Sequence, residues 1–132
     1  MKKTLWKYAA YLVVFIFVLN MIAHFFYWYV SIAQFDMWMH TLGGVFLALF
    51  AGALWSRKVS RLSIGHTIAF VLGFVIVVGV GWEVFEYIVQ YLIKGSVLAH
   101  FADSVSDLVC DIVGGVIGLC FVLRAKARYN SR

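Results

Sequence analysis

Proline is absent from this sequence, cysteine occurs twice, and acidic residues number six among 132. Without proline, no long apolar run is interrupted by a residue that removes a helical hydrogen bond. The two cysteines, Cys110 and Cys120, both fall inside the last apolar run, which excludes a disulfide framework and a CxxC metal site. They read as small hydrophobes within a helix. Charge is scarce as well: 13% of the residues are charged and 64% are hydrophobic. Ordinary globular chains are about 25% charged and about 45–50% apolar. That balance excludes a water-soluble enzyme domain and a disordered tail. The net charge of +5 does not signal nucleic acid, because the basic residues sit at the ends of apolar runs and form no stripe or RNA-type motif.

What is present is apolar length. Four long stretches, at 8–30, 37–56, 66–93 and 104–123, are each near the about 20 residues that cross a bilayer as a helix. The expected architecture is all-α: one domain over residues 1–132, a compact bundle of four transmembrane helices. The breaks between spans are short and leave no room for an extramembrane domain. The first run follows Lys2, Lys3 and Lys7 but is longer than a signal-peptide core and has no small-x-small cleavage site, so it reads as an uncleaved first span.

Orientation follows from the cations. Lys2, Lys3 and Lys7 precede the first span, Arg57, Lys58 and Arg61 lie between the second and third, and Arg124, Lys126, Arg128 and Arg132 follow the fourth; Lys94 alone lies on the other side. The positive-inside rule then puts both termini in the cytoplasm and the chain in the cell (inner) membrane. Trp6, Tyr8 and Trp55 mark the inner interface, and Tyr27, Trp28, Tyr29, Tyr87 and Tyr91 the outer one.

In that frame the acids are informative. Asp36 opens the second span from outside, with His40 one turn deeper on the same face. Glu83 and Glu86 lie in the outer half of the third span, with Gln90 a turn above. His100, Asp103, Asp107 and Asp111 form one helical stripe entering the fourth span, and Asp111 lies about 12 Å below Asp103 at 1.5 Å per residue. All six acids therefore fall in the outer half, with no Arg at that depth. Each ionised Asp at a helix centre costs on the order of 2.5–3.5 kcal/mol on the insertion scale. Two solutions stand open: protons retained on the carboxyls, or a divalent ion held by carboxylates and imidazole. Asp36, His40, Glu83, Glu86, Asp103, Asp107 and Asp111 are the candidate metal ligands, for Zn, Mn, Fe or Mg. Glu83, Glu86, Asp107 and Asp111 are also the candidate catalytic carboxylates, and Gln90 and His100 further polar pocket residues.

Glycines lie below these groups: Gly43 and Gly44 after His40, Gly114 and Gly115 after Asp111. The small-xxx-small runs Gly44, Ala48, Gly52 and Gly114, Gly118 suit close helix packing, either within the chain or between two copies as a homodimer. Gly79 and Gly81 stand beside Glu83 and loosen the third span near the acids.

Three blocks carry a family resemblance: Asp36-Met-Trp-Met-His40, Glu83 through Gln90, and Asp107-Leu-Val-Cys-Asp111-Ile-Val-Gly-Gly. Together they resemble the VanZ-like superfamily of small polytopic membrane proteins, including its YjdF-type members. The resemblance covers the second to fourth spans and implies that Asp36, His40, Glu86, Gln90, Asp107 and Asp111 are the family's polar positions. Gln90 is one residue further from Glu86 than in that pattern, Asp111 stands where VanZ proper has Asn, and an Arg before the last Asp block is missing. These departures point toward YjdF-like members. Three functions stay open: a membrane-embedded site binding or acting on an outer-leaflet lipid or cell-envelope precursor, a proton- or cation-coupled transporter, and an accessory protein whose acids hold the helices together.

Overall fold

A computed structural model describes residues 1–94 and 101–131. The chain forms α1 (Lys2–Phe25), α2 (Trp28–Ser31), α3 (Phe35–Leu54), α4 (Ser56–Arg61), α5 (Ile64–Lys94) and α6 (Phe101–Asn130), with no strand among the described residues. Four of these helices, α1, α3, α5 and α6, are long and apolar enough to cross a membrane. The fold is all-α and polytopic.

Helix bounds differ from the apolar runs for a simple reason. Hydropathy marks depth in the membrane, whereas a helix continues for as long as nothing breaks it. Lys2–Lys7 are helical although polar, so α1 starts earlier than residue 8. It also ends earlier, at Phe25, because Tyr27 takes a left-handed backbone (φ 57°). At the other end α6 runs past residue 123 to Asn130, through a basic segment lacking Gly and Pro. The stretch between the second and third spans folds into α4.

The long helices α3, α5 and α6 each turn one narrow stripe inward, spaced by three or four residues. In α3 the stripe is His40, Gly44, Ala48 and Gly52, all buried. In α5 it is Thr67, Val71, Val75 and Gly79. In α6 it runs Asp107, Asp111, Gly115, Leu119, Val122 and Lys126. The wide remaining faces are apolar and exposed, as in Trp38, Val77, Phe85 and Val109, which is what lipid contact requires of a membrane helix.

The largest helix interface joins α3 to α6. These two helices run parallel, and their small residues meet in register. A Cβ on Gly44 would collide with the Asp111 carbonyl and the Gly115 nitrogen, one on Gly114 with the Thr41 carbonyl, and one on Gly118 would lie 2.7 Å from the Ala48 Cβ. The backbones touch because no side chain separates them. Of the two uses left open for these glycines, close packing within the chain is the one seen at Gly44, Gly114 and Gly118.

The apolar core lies in the half of the bundle where the cations gather. Leu5 and Ala9 of α1, Leu49 of α3, Val71 and Val75 of α5 and Val122 of α6 close it. Below them Lys126, 6% exposed, donates from Nζ to the Leu62 carbonyl and to Thr67 Oγ1 (2.8 Å), while Thr67 donates to the Ser63 carbonyl (2.8 Å). One ammonium therefore ties the end of α6 to the α4–α5 turn. Charged hydrogen bonds contribute about 1.5–3 kcal/mol each, and the buried aliphatic stem adds packing. Lys126→Ala is expected to lower stability in detergent by about 2–3 kcal/mol. Arg128→Ala, at an exposed position two residues away, should stay within about 0.5 kcal/mol; thermal unfolding of the two variants checks this.

Candidate functional site

Above Gly79 the helix α5 stops burying side chains: from residue 80 to 93, none of the described residues is buried. Those that remain half-covered include Glu83 and Glu86, which continue the inward stripe of Thr67, Val71, Val75 and Gly79. The interior there is lined by carboxyl groups from three helices.

His40 stands at the centre. Its Nε2 lies 3.9 Å from Asp107 Oδ2 and its Nδ1 3.5 Å from Asp111 Oδ1. The ring thus sits between two aspartates of α6, and His40, Asp107 and Asp111 are 9%, 3% and 4% exposed. The parallel register of α3 and α6 produces this pairing, since the close approach of Thr41 and Gly44 to Gly114 and Gly115 leaves the residues one turn above side by side.

Asp111 occupies space that glycine provides. A Cβ on Gly79 would lie 2.7 Å from Asp111 Oδ2 and 3.2 Å from Leu108 Cδ1, and one on Gly43 3.8 Å from Asp111 Oδ1. Asp111 therefore has glycine of α3 on one side, glycine of α5 on the other, and the imidazole beside it.

Two ligand-capable groups converge on the same histidine. Donor atoms of Asp36, His40 and Asp107 lie within 4.8 Å of one another, as do those of His40, Glu83 and Glu86. Two oxygens in this layer, Asp107 Oδ1 and Glu83 Oε1, are buried without a hydrogen-bond partner. An unsatisfied buried polar atom costs about 1–3 kcal/mol, and more when it is charged. Among the described residues His40 is the one basic side chain that approaches any acid within 4 Å.

Of the residues that the sequence put forward, the structure brings Asp36, His40, Glu83, Glu86, Asp107 and Asp111 to one layer. Asp103 is exposed and belongs to neither donor group; it sits in the first turn of α6, above the layer, where its carbonyl accepts from the Ser106 hydroxyl (2.7 Å). It shares the stripe with Asp107 and Asp111 but stands a turn above the donors that converge on His40. His100 and the side chain of Gln90 lie outside the described residues. Cys110 and Cys120 are free thiols.

Sequence reasoning missed Tyr29 as a neighbour of this layer. The chain reverses after α1 through two left-handed residues, Tyr27 and Gln34 (φ 66°), which bracket α2 and set Tyr29 edge-on to Phe35 at 5.0 Å. The Tyr29 hydroxyl donates to Asn20 Oδ1 (2.6 Å). Burial pushes its phenol above the usual range, and the negative charges of Asp36 and Glu86 push the same way. A tyrosine among interfacial aromatics carries no sequence mark of that proximity.

A family model of predicted membrane proteins, DUF2238, matches residues 3–128. The chain belongs to this family. YjdF-like proteins are members of DUF2238 as well. No curated protein and no solved structure matches the chain.

The glycine pocket around Asp111 yields a direct test. Gly79→Ala must displace Asp111 or Leu108 and is expected to lower stability by about 1–3 kcal/mol, the usual cost of overpacking. Gly81→Ala, whose Cβ would meet nothing within 4 Å, should be neutral or stabilise by up to about 1 kcal/mol through helix propensity. Unfolding midpoints of the two DUF2238 variants in one detergent decide it.

Proposed function

We propose that the carboxylate–histidine layer of this DUF2238 protein is a divalent-cation site within the membrane. It opens toward the exterior leaflet, where it binds or acts on a lipid or cell-envelope precursor. The reading rests on the unpartnered Asp107 Oδ1, on a side chain 3% exposed, next to an imidazole on which two sets of donors converge. A buried carboxylate oxygen without a proton donor is stabilised most directly by a cation.

The roles follow from geometry. Asp111 faces His40 Nδ1 and fixes the ring, so that Nε2 is directed toward Asp107. A carboxylate behind a ligating histidine performs this orienting task in many metal sites. His40 Nε2 and Asp107 are then the core ligands, with Asp36 or the Glu83–Glu86 pair completing the set. One imidazole among carboxylates suits Mn, Fe or Zn better than an all-oxygen site for Mg. A bound ion would polarise a phosphoryl or carbonyl oxygen and lower the pKa of water. Whichever of Glu83 and Glu86 does not ligate stands ready as general base or acid.

The cations gathered at the opposite end support an orientation with both termini cytoplasmic. The polar blocks also support kinship with the VanZ-like superfamily. Against a transport pathway stands the apolar plug below the layer: Val71, Val75 and Val122 are fully buried and close the bundle.

Elemental analysis of purified protein tests the reading. Wild type is expected to carry about one Mn, Fe or Zn per chain, and His40→Ala and Asp107→Asn to bind at least about tenfold more weakly. Asp103→Asn should keep the ion. Metal uptake should fall as pH is lowered, because imidazole and carboxylate must shed protons to ligate. Absence of metal, with Asp107→Asn as stable as wild type, would assign the acids to helix packing. Absence of metal with proton-linked flux in vesicles would assign them to transport.

A further inference from the structure

At the opposite end of the bundle the start of α1, the short α4 and the end of α6 form the walls of an open cavity of about 350 Å³. Lys2, Arg57, Arg61, Ser56, Ser60 and Tyr129 line it. Residues 1–35, 37–82 and 112–132 contain no Asp or Glu, so this end has no acidic side chain to neutralise its cations. Among the described residues, the side chains of Lys2, Arg57, Arg61, Ser56 and Tyr129 make no hydrogen bond or ion pair with one another or with their neighbours. The Ser60 hydroxyl is engaged, donating to the Arg57 carbonyl (2.9 Å).

We infer that this cavity is a site for a phosphate group, borne by an anionic lipid of the adjoining leaflet. Two guanidinia offer forked donors matched to phosphate oxygens, the lysine adds a point charge, and the two hydroxyls add neutral donors. The cavity opens beside the ends of membrane-crossing helices, at the level of headgroups, and basic pockets there capture anionic headgroups. A scattered positive face would orient the protein in the membrane without needing concavity. Here the cations are gathered around a half-open concavity walled by α1, α4 and α6, held in place by the buried Lys126 tie between α6 and the α4–α5 turn. The site is separate from the carboxylate layer and does not depend on its reading.

Native mass spectrometry of the detergent-solubilised protein, titrated with phosphatidic acid or phosphatidylcholine, tests the inference. Phosphatidic acid should be retained about tenfold or more over phosphatidylcholine. That preference should vanish in the Arg57→Gln/Arg61→Gln double variant and persist in Arg124→Gln/Arg128→Gln, which removes equal charge outside the cavity. Lys2→Gln, at an exposed position in the first turn of α1, repeats the test should the double variant fail to fold. Displacement of the lipid by excess inorganic phosphate would make the phosphate itself the recognised group. Resistance to displacement would show that the acyl chains contribute too. Equal retention of the two lipids, or equal loss in both double variants, would overturn the site in favour of diffuse charge.

Discussion

A carboxylate inside a membrane must face a partner, a proton or water, because lipid offers it nothing. That constraint organises this protein. Its acids cannot spread over the helix surfaces, so Asp107, Asp111, Glu83 and Glu86 lie on the inward stripes of α6 and α5 and meet His40 of α3. One imidazole is too small a counterweight for so many carboxyl groups, and two of their oxygens stay unpaired. The bundle keeps an electrostatic deficit at one end while closing its apolar core at the other.

Backbone contact between α3 and α6 makes the arrangement possible. Gly44 against Gly115, and Gly114 against Thr41, set the register that places His40 beside Asp107 and Asp111. Larger residues there would separate the helices and pull the imidazole away from both aspartates. Gly79 performs the same service from α5, leaving the space that Asp111 fills. The glycines thus act on the site as well as on the fold, since they determine how closely the charged groups approach.

Much of this was legible in the sequence. Four apolar runs showed the spans, and a fourfold spacing put Asp107 and Asp111 on one face because helical periodicity is strict. Other features were hidden for physical reasons. Asp103 shares the stripe but lies above the converging layer, and height relative to neighbouring helices is a tertiary property. Tyr29 comes within the field of Asp36 and Glu86 through left-handed turns at Tyr27 and Gln34, neither of which is the glycine that normally announces such a conformation. Lys126 was counted as an orientation signal, yet the stripe Asp111, Gly115, Leu119, Val122 leads to it in steps of three or four residues and could have marked it as buried.

The central claim is that the carboxylate layer holds a cation through His40. Pulsed electron paramagnetic resonance of the Mn(II)-loaded, solubilised protein tests it most directly, because the modulation depth reports nitrogen bound to the metal. The account predicts coupling to a single imidazole nitrogen, abolished by His40→Gln and retained in His66→Gln, whose exposed ring pairs with Ser63 at the opposite end of the bundle. A spectrum of fully hydrated Mn(II) in the wild-type protein, with no nitrogen coupling, would contradict it.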